Sequence, residues 1–390
     1  MKFLKDIAVA KKRVLVRVDF NVSLDSSGRV LDDFRLRAAL PTIQYLKQQG
    51  SKIILMAHLG RPMEIDGKFS LKPVAERLSE LLGQEVKLAP DCVGEKTKTM
   101  AQALKEGEIL LLENLRFRAE EEKNDSEFAK QLAGLGEVYV NDAFGVSHRA
   151  HASVAAITGF LPSCAGFLLA KEVENLTRAR DKAEHPLCVI IGGAKISTKL
   201  KLIRSFLGKA EDVILGGALA NTMLLAKGLS LGKSKVEKIE AGELEKLEIT
   251  SSKIHLPPDA MLCLGKEDGD LCRVGPVGNV EPNEMILDIG PDTEELFSKI
   301  ISQAKMVIWN GPMGLFEKEA FAGGTLVVAL AVANSGAFSV VGGGETVAFL
   351  EEKKLVDKFS FVSTGGGAMM EFLCGDKLPG IEALENHFNI

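Results

Sequence analysis

Short, nearly continuous apolar runs recur along this chain, each closed by polar residues or glycines and separated by stretches with helical spacing. The runs are "VLVRVDFN" (14–21), "IILMAHLG" (53–60), "ILLLENLRF" (109–117) and "VYVNDAFG" (138–145), then "CVIIGGAK" (188–195), "DVILGGALAN" (212–221), "MVIWNGPMG" (306–314), "SVVGGGET" (339–346) and "FVSTGGGA" (361–368). Strands of a parallel sheet covered by helices on both faces read this way, because neither face of the strand meets water. The intervening segments carry ordinary helix signals: "SLKPVAERLSELLG" (70–83) opens with Ser and Pro and closes on Gly83. The alternation predicts an α/β fold with open parallel sheets. In such sheets ligands bind outside the carboxyl ends of the strands, so the residues that end each run are the ones to read. The uncharged stretch from Gly323 to Gly344 is long enough to span a bilayer. Asn334, Ser335 and its glycines split it instead into a buried helix (Thr325 to Asn334), a turn and a strand (Phe338 to Val341).

The strand ends fall into two sets. The first four runs close on Arg17, Asp19, Asn21, His58, Arg61, Glu113, Asn114, Arg116, Asn141 and Asp142, and the last five close on glycines. The whole chain shows the same split: residues 1–185 hold twelve of the fourteen arginines and residues 186–390 hold 26 of the 38 glycines. Length and this asymmetry predict two domains with different ligand chemistry. The charged stretch "AKEVENLTRARDKAEHP" (170–186) is the expected connector. The expected division is 1–170 for the first domain, 171–186 for an interdomain helix and 187–374 for the second domain.

Composition narrows the function. The chain is 46% hydrophobic and 26% charged, as a soluble globular protein is, and its net charge of −5 gives no reason to expect nucleic-acid binding. The start, with charges at Lys5 and Asp6, is no signal peptide. Cysteines 92, 164, 188, 263, 272 and 374 form neither a C-x-x-C pair nor a metal-ligand spacing, which predicts reduced, mostly buried thiols in a cytoplasm.

Arginine presents a planar, permanently charged fork that suits carboxylate and phosphate. Arg17, Arg35, Arg61, Arg116, Arg118 and Arg149 lie at strand ends or in loops of the first half, and "HRAH" (148–151) places two histidines around Arg149. As a set they suit a small, multiply anionic ligand, and the spacing of "HRAH" is not that of a zinc site. Glycines between a strand and a helix let a phosphate approach bare backbone and point free N–H groups at it. "GGAK" (192–195), "GGGET" (342–346) and "STGGGA" (363–368) fit this, although glycine pairs also serve plain strand–helix turns. No G-x-x-x-x-G-K-[ST] is present, since "GLSLGKS" (228–234) misses by one residue, and no G-x-G-x-x-G follows a strand. Lys195 and Lys199, four apart, are expected to share a helix face and reach a phosphate from the side. Glu317 is placed to accept hydrogen bonds from ribose hydroxyls.

Taken together, "RVDFNV", "RLRAALPTI", "HLGRP", "LLENLRF", "NDAFG", "HRAH", "GGAK", "GGA" (216–218), "WNGPMGLFE", "GGGET" and "STGGGA" closely resemble the phosphoglycerate kinase family, in family order and over almost the full chain. The resemblance implies two Rossmann-like domains with parallel sheets flanked by helices, joined by a hinge helix, with residues 375–390 returning to the first. It implies transfer of a phosphoryl group from 1,3-bisphosphoglycerate to ADP, giving 3-phosphoglycerate and ATP, by a cytoplasmic monomer that binds neither nucleic acid nor membrane. By position, Asp19, Asn21, Arg35, His58, Arg61, Arg116 and Arg149 would bind the phosphoglycerate. Lys199, Glu317, Gly343, Gly344, Glu345 and Thr346 would hold the nucleotide, and Arg35, Lys195, Lys199 and Gly366 would serve catalysis. Glu345 would serve Mg²⁺, through water or a shifted backbone. It departs from the family's usual Asp by one methylene.

The chemistry agrees with that assignment. ADP attacks through an anionic phosphate and 3-phosphoglycerate through an anionic carboxylate, so no general base is required. Positioning and charge stabilisation remain, with water kept off the acyl phosphate by closure. A non-catalytic binder of anionic metabolites is the alternative, and a nicotinamide-dependent dehydrogenase lacks its glycine fingerprint here.

Overall fold

The computed structural model describes residues 1–238, 250–267 and 271–386. The chain forms two compact units, Met1–Glu174 together with the segment from Asp376 onward, and Asn175–Gly375. The boundary falls inside the helix Phe167–Asp181. The last four residues of the expected 375–390 return lie outside the described residues.

In the first unit, strands β1 (Arg13–Arg17), β2 (Lys52–Met56), β3 (Val86–Leu88), β4 (Ile109–Leu111), β5 (Val138–Asn141) and β6 (Ser163–Ala165) form one sheet in the order β3-β4-β2-β1-β5-β6. Every pairing in it is parallel. Val14, Val16, Ile53, Leu55, Val138 and Val140 pack on one face with Leu36 and Ile43 of helix Phe34–Gln48. Leu15, Ile54 and Tyr139 are buried on the other face. This is why the runs are continuously apolar, and each such side chain contributes about 1.5–3 kcal/mol by leaving water. Helix Lys72–Leu82 starts with a proline in its first turn and stops at Gly83, whose φ of 60° is the left-handed stop that glycine adopts without strain. In the tail, the Gly380 N–H donates to the Ser147 carbonyl, and Ile381 and Leu384 are buried.

The second unit holds β7 (Leu187–Ile191), β8 (Asp212–Leu215), β9 (Ile254–His255), β10 (Asp259–Cys263), β11 (Cys272–Pro276), β12 (Met285–Ile289), β13 (Met306–Asn310), β14 (Phe338–Gly342) and β15 (Phe361–Val362). Six of them form a parallel sheet in the order β15-β14-β13-β7-β8-β9. The uncharged stretch divides into helix Gly323–Asn334 and β14, and among the described residues no helix is long and apolar enough to cross a membrane.

The two expected parallel sheets are present, and β11-β10-β12 add a separate antiparallel sheet. Its outer strand "CRVGP" is mostly exposed and carries Gly and Pro, so it has no apolar run to read. One expectation needs correction: not all six cysteines are reduced. Register places Cys263 opposite Cys272 on β10 and β11, with Cα atoms 4.1 Å apart, and the two form a disulfide. Cys92, Cys164 and Cys188 are buried and Cys374 is half-buried, and these four take part in no disulfide.

Candidate functional site

β1 lies between β2 and β5, so its carboxyl end opens among theirs. The chain leaving β1 carries Asp19 and Asn21. The Asn21 side-chain oxygen accepts from the Gly60 N–H at 2.8 Å, which ties this loop to the one after β2. Arg35, in the first turn of helix Phe34–Gln48, donates to the Asn21 carbonyl at 2.8 Å and stands 3.5 Å from the Asp19 carboxylate. Arg116 donates to the Gly60 carbonyl at 2.6 Å and its Nε lies 3.1 Å from Glu122. Arg149 donates to His148 Nε2 at 3.2 Å.

Electrostatics show that these groups share one neighbourhood. His58 is buried and held well below the ordinary histidine range, first by desolvation and then by the charges of Arg17, Arg116 and Arg35. His151 is pushed down to about 3, again by burial first, then by Arg17, Arg116, Arg149 and His148. Desolvation lowers Arg116 as well, and Arg149, Arg17 and Arg61 add to it against the pull of Glu122. Cations forced together in this way favour an anion among them.

Not every strand-end group belongs to this cluster. Arg118 is paired with Asp91. Arg17 is 1% exposed and bonded to Ser153, the Val18 carbonyl and His58, so it supports the site from behind. Glu113 accepts from Ser70 and from the N–H groups of Leu71 and Asn114, and Asn114 bonds the loops around Leu59 and Phe69. Asp142 accepts from the N–H groups of Leu168 and Leu169 at the start of helix Phe167–Asp181, and burial pushes its carboxyl up to about 6. These side chains hold loops and helix ends in place.

In the second unit a cavity of about 680 Å³ opens at the carboxyl ends of β7, β8 and β13, lined among others by Gly193, Gly217, Met313, Glu317 and Glu345. The glycines there do two different jobs. A Cβ on Gly192 would sit 2.0 Å from the Pro312 carbonyl oxygen, so that glycine is required for loop-on-loop packing. A Cβ at Gly344 would meet nothing within 4 Å, so its backbone is bare for a ligand. Gly343 has φ 100° and carries the chain from β14 into helix Gly344–Glu352, with Glu345 exposed in the first turn. The hydroxyl oxygen of Thr346 is buried and accepts from the Gly311 N–H at 2.8 Å, joining this loop to the one after β13. Gly366, at φ 49°, precedes helix Gly367–Leu373 and is likewise open.

Lys195 and Lys199 do not share a helix face. Ser197 donates its N–H and its hydroxyl to Glu237, which holds the segment as a turn, and the helix begins only at Leu200. Lys195 is exposed, whereas Lys199 is buried and its Nζ donates to the Gly192 carbonyl at 2.5 Å. Burial lowers the Lys199 ammonium to about 8, against the pull of Glu345. The sequence reading missed Asn221, Lys233, Lys235, Lys266 and Asp288, which also line the cavity. Lys233 lies in the near-miss "GLSLGKS", but the segment follows a helix, and the Ser234 hydroxyl oxygen accepts from Ile286. Asp288 accepts from Gly324 and Ile289, and burial pushes it up to about 7. No local motif marks either residue.

A cationic cluster at one parallel sheet and a glycine-lined cavity at another define an α/β protein equipped for anionic small molecules. The family model of phosphoglycerate kinase matches residues 4–376. The chain is 50% identical to a phosphoglycerate kinase of Moorella thermoacetica over 386 residues, 98% of each chain. It is 47% identical to a cytosolic phosphoglycerate kinase of Triticum aestivum over 388 residues, 96% of this chain and 95% of that one. Among solved structures, phosphoglycerate kinase from Coxiella burnetii matches at 40% identity and TM-score 0.84 over 98% of both chains. That from Pyrococcus horikoshii matches at 34% identity and TM-score 0.89 over 100% of this chain and 99% of that one. The chain belongs to the phosphoglycerate kinase family. It is a phosphotransferase with a carboxyl group as acceptor, a kinase of glycolysis.

Proposed function

We propose that the family's reaction, reversible transfer between 1,3-bisphosphoglycerate and ADP, is divided between the two units by ligand. Asp19, Asn21, Arg35, His58, Arg61, Arg116 and Arg149 hold the phosphoglycerate. Lys199, Glu317, Gly343, Gly344, Glu345 and Thr346 hold the nucleotide, Thr346 through its tie to Gly311. The observation that carries the first assignment is the gathering of Arg17, Arg35, Arg61, Arg116 and Arg149 about His58 and His151: after burial, these charges depress His58, His151 and Arg116 further, and an anionic ligand would offset that part. In that cluster Asp19 is an acceptor among donors and suits a substrate hydroxyl. The bare backbone at Gly344, next to Glu345 of the cavity lining, supports the second, as does Lys199 Nζ beside Gly193 of the same lining.

Both nucleophiles are anionic before they attack, so no side chain has to remove a proton. Arg35 offsets charge developing on the transferring group, Lys195 and Lys199 do so from the nucleotide side, and the N–H groups following Gly366 add oriented dipoles. Lys199, near 8, is mostly ammonium at neutral pH.

The residues fit magnesium. A methyl on Gly193 would lie 3.0 Å from Lys199 Nζ and 3.5 Å from Glu345 Oε2, so a cation and a hard carboxylate donor flank one backbone position. Mg²⁺ takes one or two protein carboxylates beside phosphates and water. Glu345 would hold it, and the ion when bound would neutralise phosphate charge. An unchanged magnesium dependence in Glu345→Gln would place the metal elsewhere.

A coupled assay for ATP formation from ADP and 1,3-bisphosphoglycerate tests the whole reading. Ligand binding with no turnover would favour a non-catalytic binder instead. We assign the protein to the cytoplasm, as named for the wheat relative, and to a monomer, which sedimentation velocity checks.

A further inference from the structure

Behind the cationic cluster of the first unit lies a buried polar chain. Glu121, in the short helix Ala119–Glu122, has no exposed surface. Its Oε2 accepts from the Ser153 N–H at 2.9 Å and its Oε1 from the Ser153 hydroxyl at 2.5 Å. Arg17 Nε donates to the same hydroxyl oxygen at 2.8 Å, and Arg17 Nη2 reaches His58 Nδ1 at 3.3 Å. A further Arg17–Glu121 contact spans 4.0 Å, and His151 Nδ1 is 3.8 Å from Glu121.

The direction of every hydrogen in this chain follows from donor and acceptor capacity. A guanidinium has five N–H donors and no acceptor. His58 Nδ1 therefore presents its lone pair to Arg17, and the ring proton sits on Nε2. Because Arg17 Nε donates to the Ser153 hydroxyl oxygen, the hydroxyl hydrogen is directed at Glu121. Both oxygens of Glu121 accept, as a carboxylate's do. Burial pushes Glu121 up, while Arg17 and the two bonds from Ser153 oppose it. The second nitrogen of a histidine commonly sets what the first can do.

We propose that Glu121, acting through Ser153 and Arg17, is a positioning residue that fixes His58 as the Nε2–H tautomer, a hydrogen-bond donor to the phosphoglycerate. This rests on the assignment of His58 to that substrate. It gives Arg17, which stands behind the cluster at 1% exposure, a function, and it explains why a carboxylate is buried beside a site for anions. Without that carboxylate the Ser153 hydroxyl loses the acceptor that orients it, and Arg17, still held at the Val18 carbonyl, can move its Nη2 off His58 Nδ1, the contact that selects the tautomer.

The test combines ¹⁵N–¹H correlation spectra of the histidines with steady-state kinetics of the full chain. In the unaltered protein, His58 should show a protonated Nε2 and an unprotonated Nδ1. In Glu121→Gln the two tautomers should mix. KM for 3-phosphoglycerate should rise about tenfold, with kcat and the nucleotide KM little changed. Ser153→Ala removes only the hydroxyl relay and should shift both readouts the same way by less, which keeps the test open if Glu121→Gln folds poorly. In a His58→Gln background, Glu121→Gln should cost little more, because the ring it positions is gone. A protonated Nδ1 in the unaltered protein overturns the proposal. So does a Glu121→Gln protein that melts earlier while its tautomer and both KM values stay put, since that is a structural role only. If the tautomer mixes but KM for 3-phosphoglycerate does not move, the assignment of His58 to the substrate is what fails, and the proposed purpose with it.

Discussion

In the first unit the segments beyond the strands present Arg35, His58, Arg116 and Arg149 as side chains, while in the second the open positions are backbone at Gly344 and Gly366. The costs of the two arrangements fall in different places. Side-chain cations repel one another before a ligand arrives, so the first unit has to hold them with buried partners such as Glu121 and with loop ties such as Asn21 to Gly60. Backbone donors carry no such repulsion, but they need space that a single Cβ would fill, and the second unit meets that need by residue choice alone. Substitutions in the first unit are therefore expected to change kinetics while the fold survives. Several glycines of the second are expected to be intolerant for reasons of packing.

The largest effect is expected at Arg35. Arg35→Ala should lower kcat by about 10³-fold or more while changing the 3-phosphoglycerate KM much less. If steady-state kinetics show mainly a raised KM, Arg35 binds the ground state and the catalytic role is wrong. Next comes Gly192→Ala, whose methyl would overlap the Pro312 carbonyl. A stability loss of about 3–5 kcal/mol in urea unfolding is expected. A protein as stable as the original would refute the packing role.

Lys199→Met should weaken ADP binding by about ten- to hundredfold in calorimetry, the range for losing a hydrogen bond from a charged group. Lys199 titrates near 8, so the affinity of the unaltered protein should fall as pH rises through that value, and the Met variant should lack the slope. Asp142 gives a smaller, purely structural signal. Its folded carboxyl is raised from 3.8 to about 6, so the native state holds a proton that the unfolded chain has released across that window. The associated stability is complete below 3.8, declines up to about 6 and is flat above. Subtracting the Asp142→Asn denaturation curves, measured over the same pH range, should isolate that decline. The smallest effect is predicted for Gly344→Ala, which should leave stability within about 0.5 kcal/mol while weakening ADP binding. Unchanged ADP affinity there would break the contrast between packing and ligand-facing glycines.

Much of this was legible because parallel strands buried on both faces announce themselves as apolar runs, and the strand ends locate the ligands. What stayed hidden depends on tertiary position. Arg17 and Arg35 are alike in sequence, yet one lies at the end of β1 tied into buried Ser153 and the other on a half-exposed helix turn. Glu121 is one of three consecutive glutamates, and what singles it out is a serine 32 residues later. Lys195 and Lys199 have helical spacing, but the bonds of Ser197 to Glu237 override it. The Cys263–Cys272 bridge depends on the register of an antiparallel pair whose outer strand has no apolar pattern.

The return of the chain after Gly375 to the first unit sets an order of events during translation. Ile381, Leu384 and the Gly380–Ser147 hydrogen bond belong to a unit whose other residues end at Glu174. At roughly 5–20 residues per second, a ribosome needs on the order of 10–40 s to make the intervening second unit. For that interval the nascent first unit presents an apolar surface at Val154 that its own last helix has yet to cover. The half of the protein that leaves the ribosome first is thus the half that is finished last.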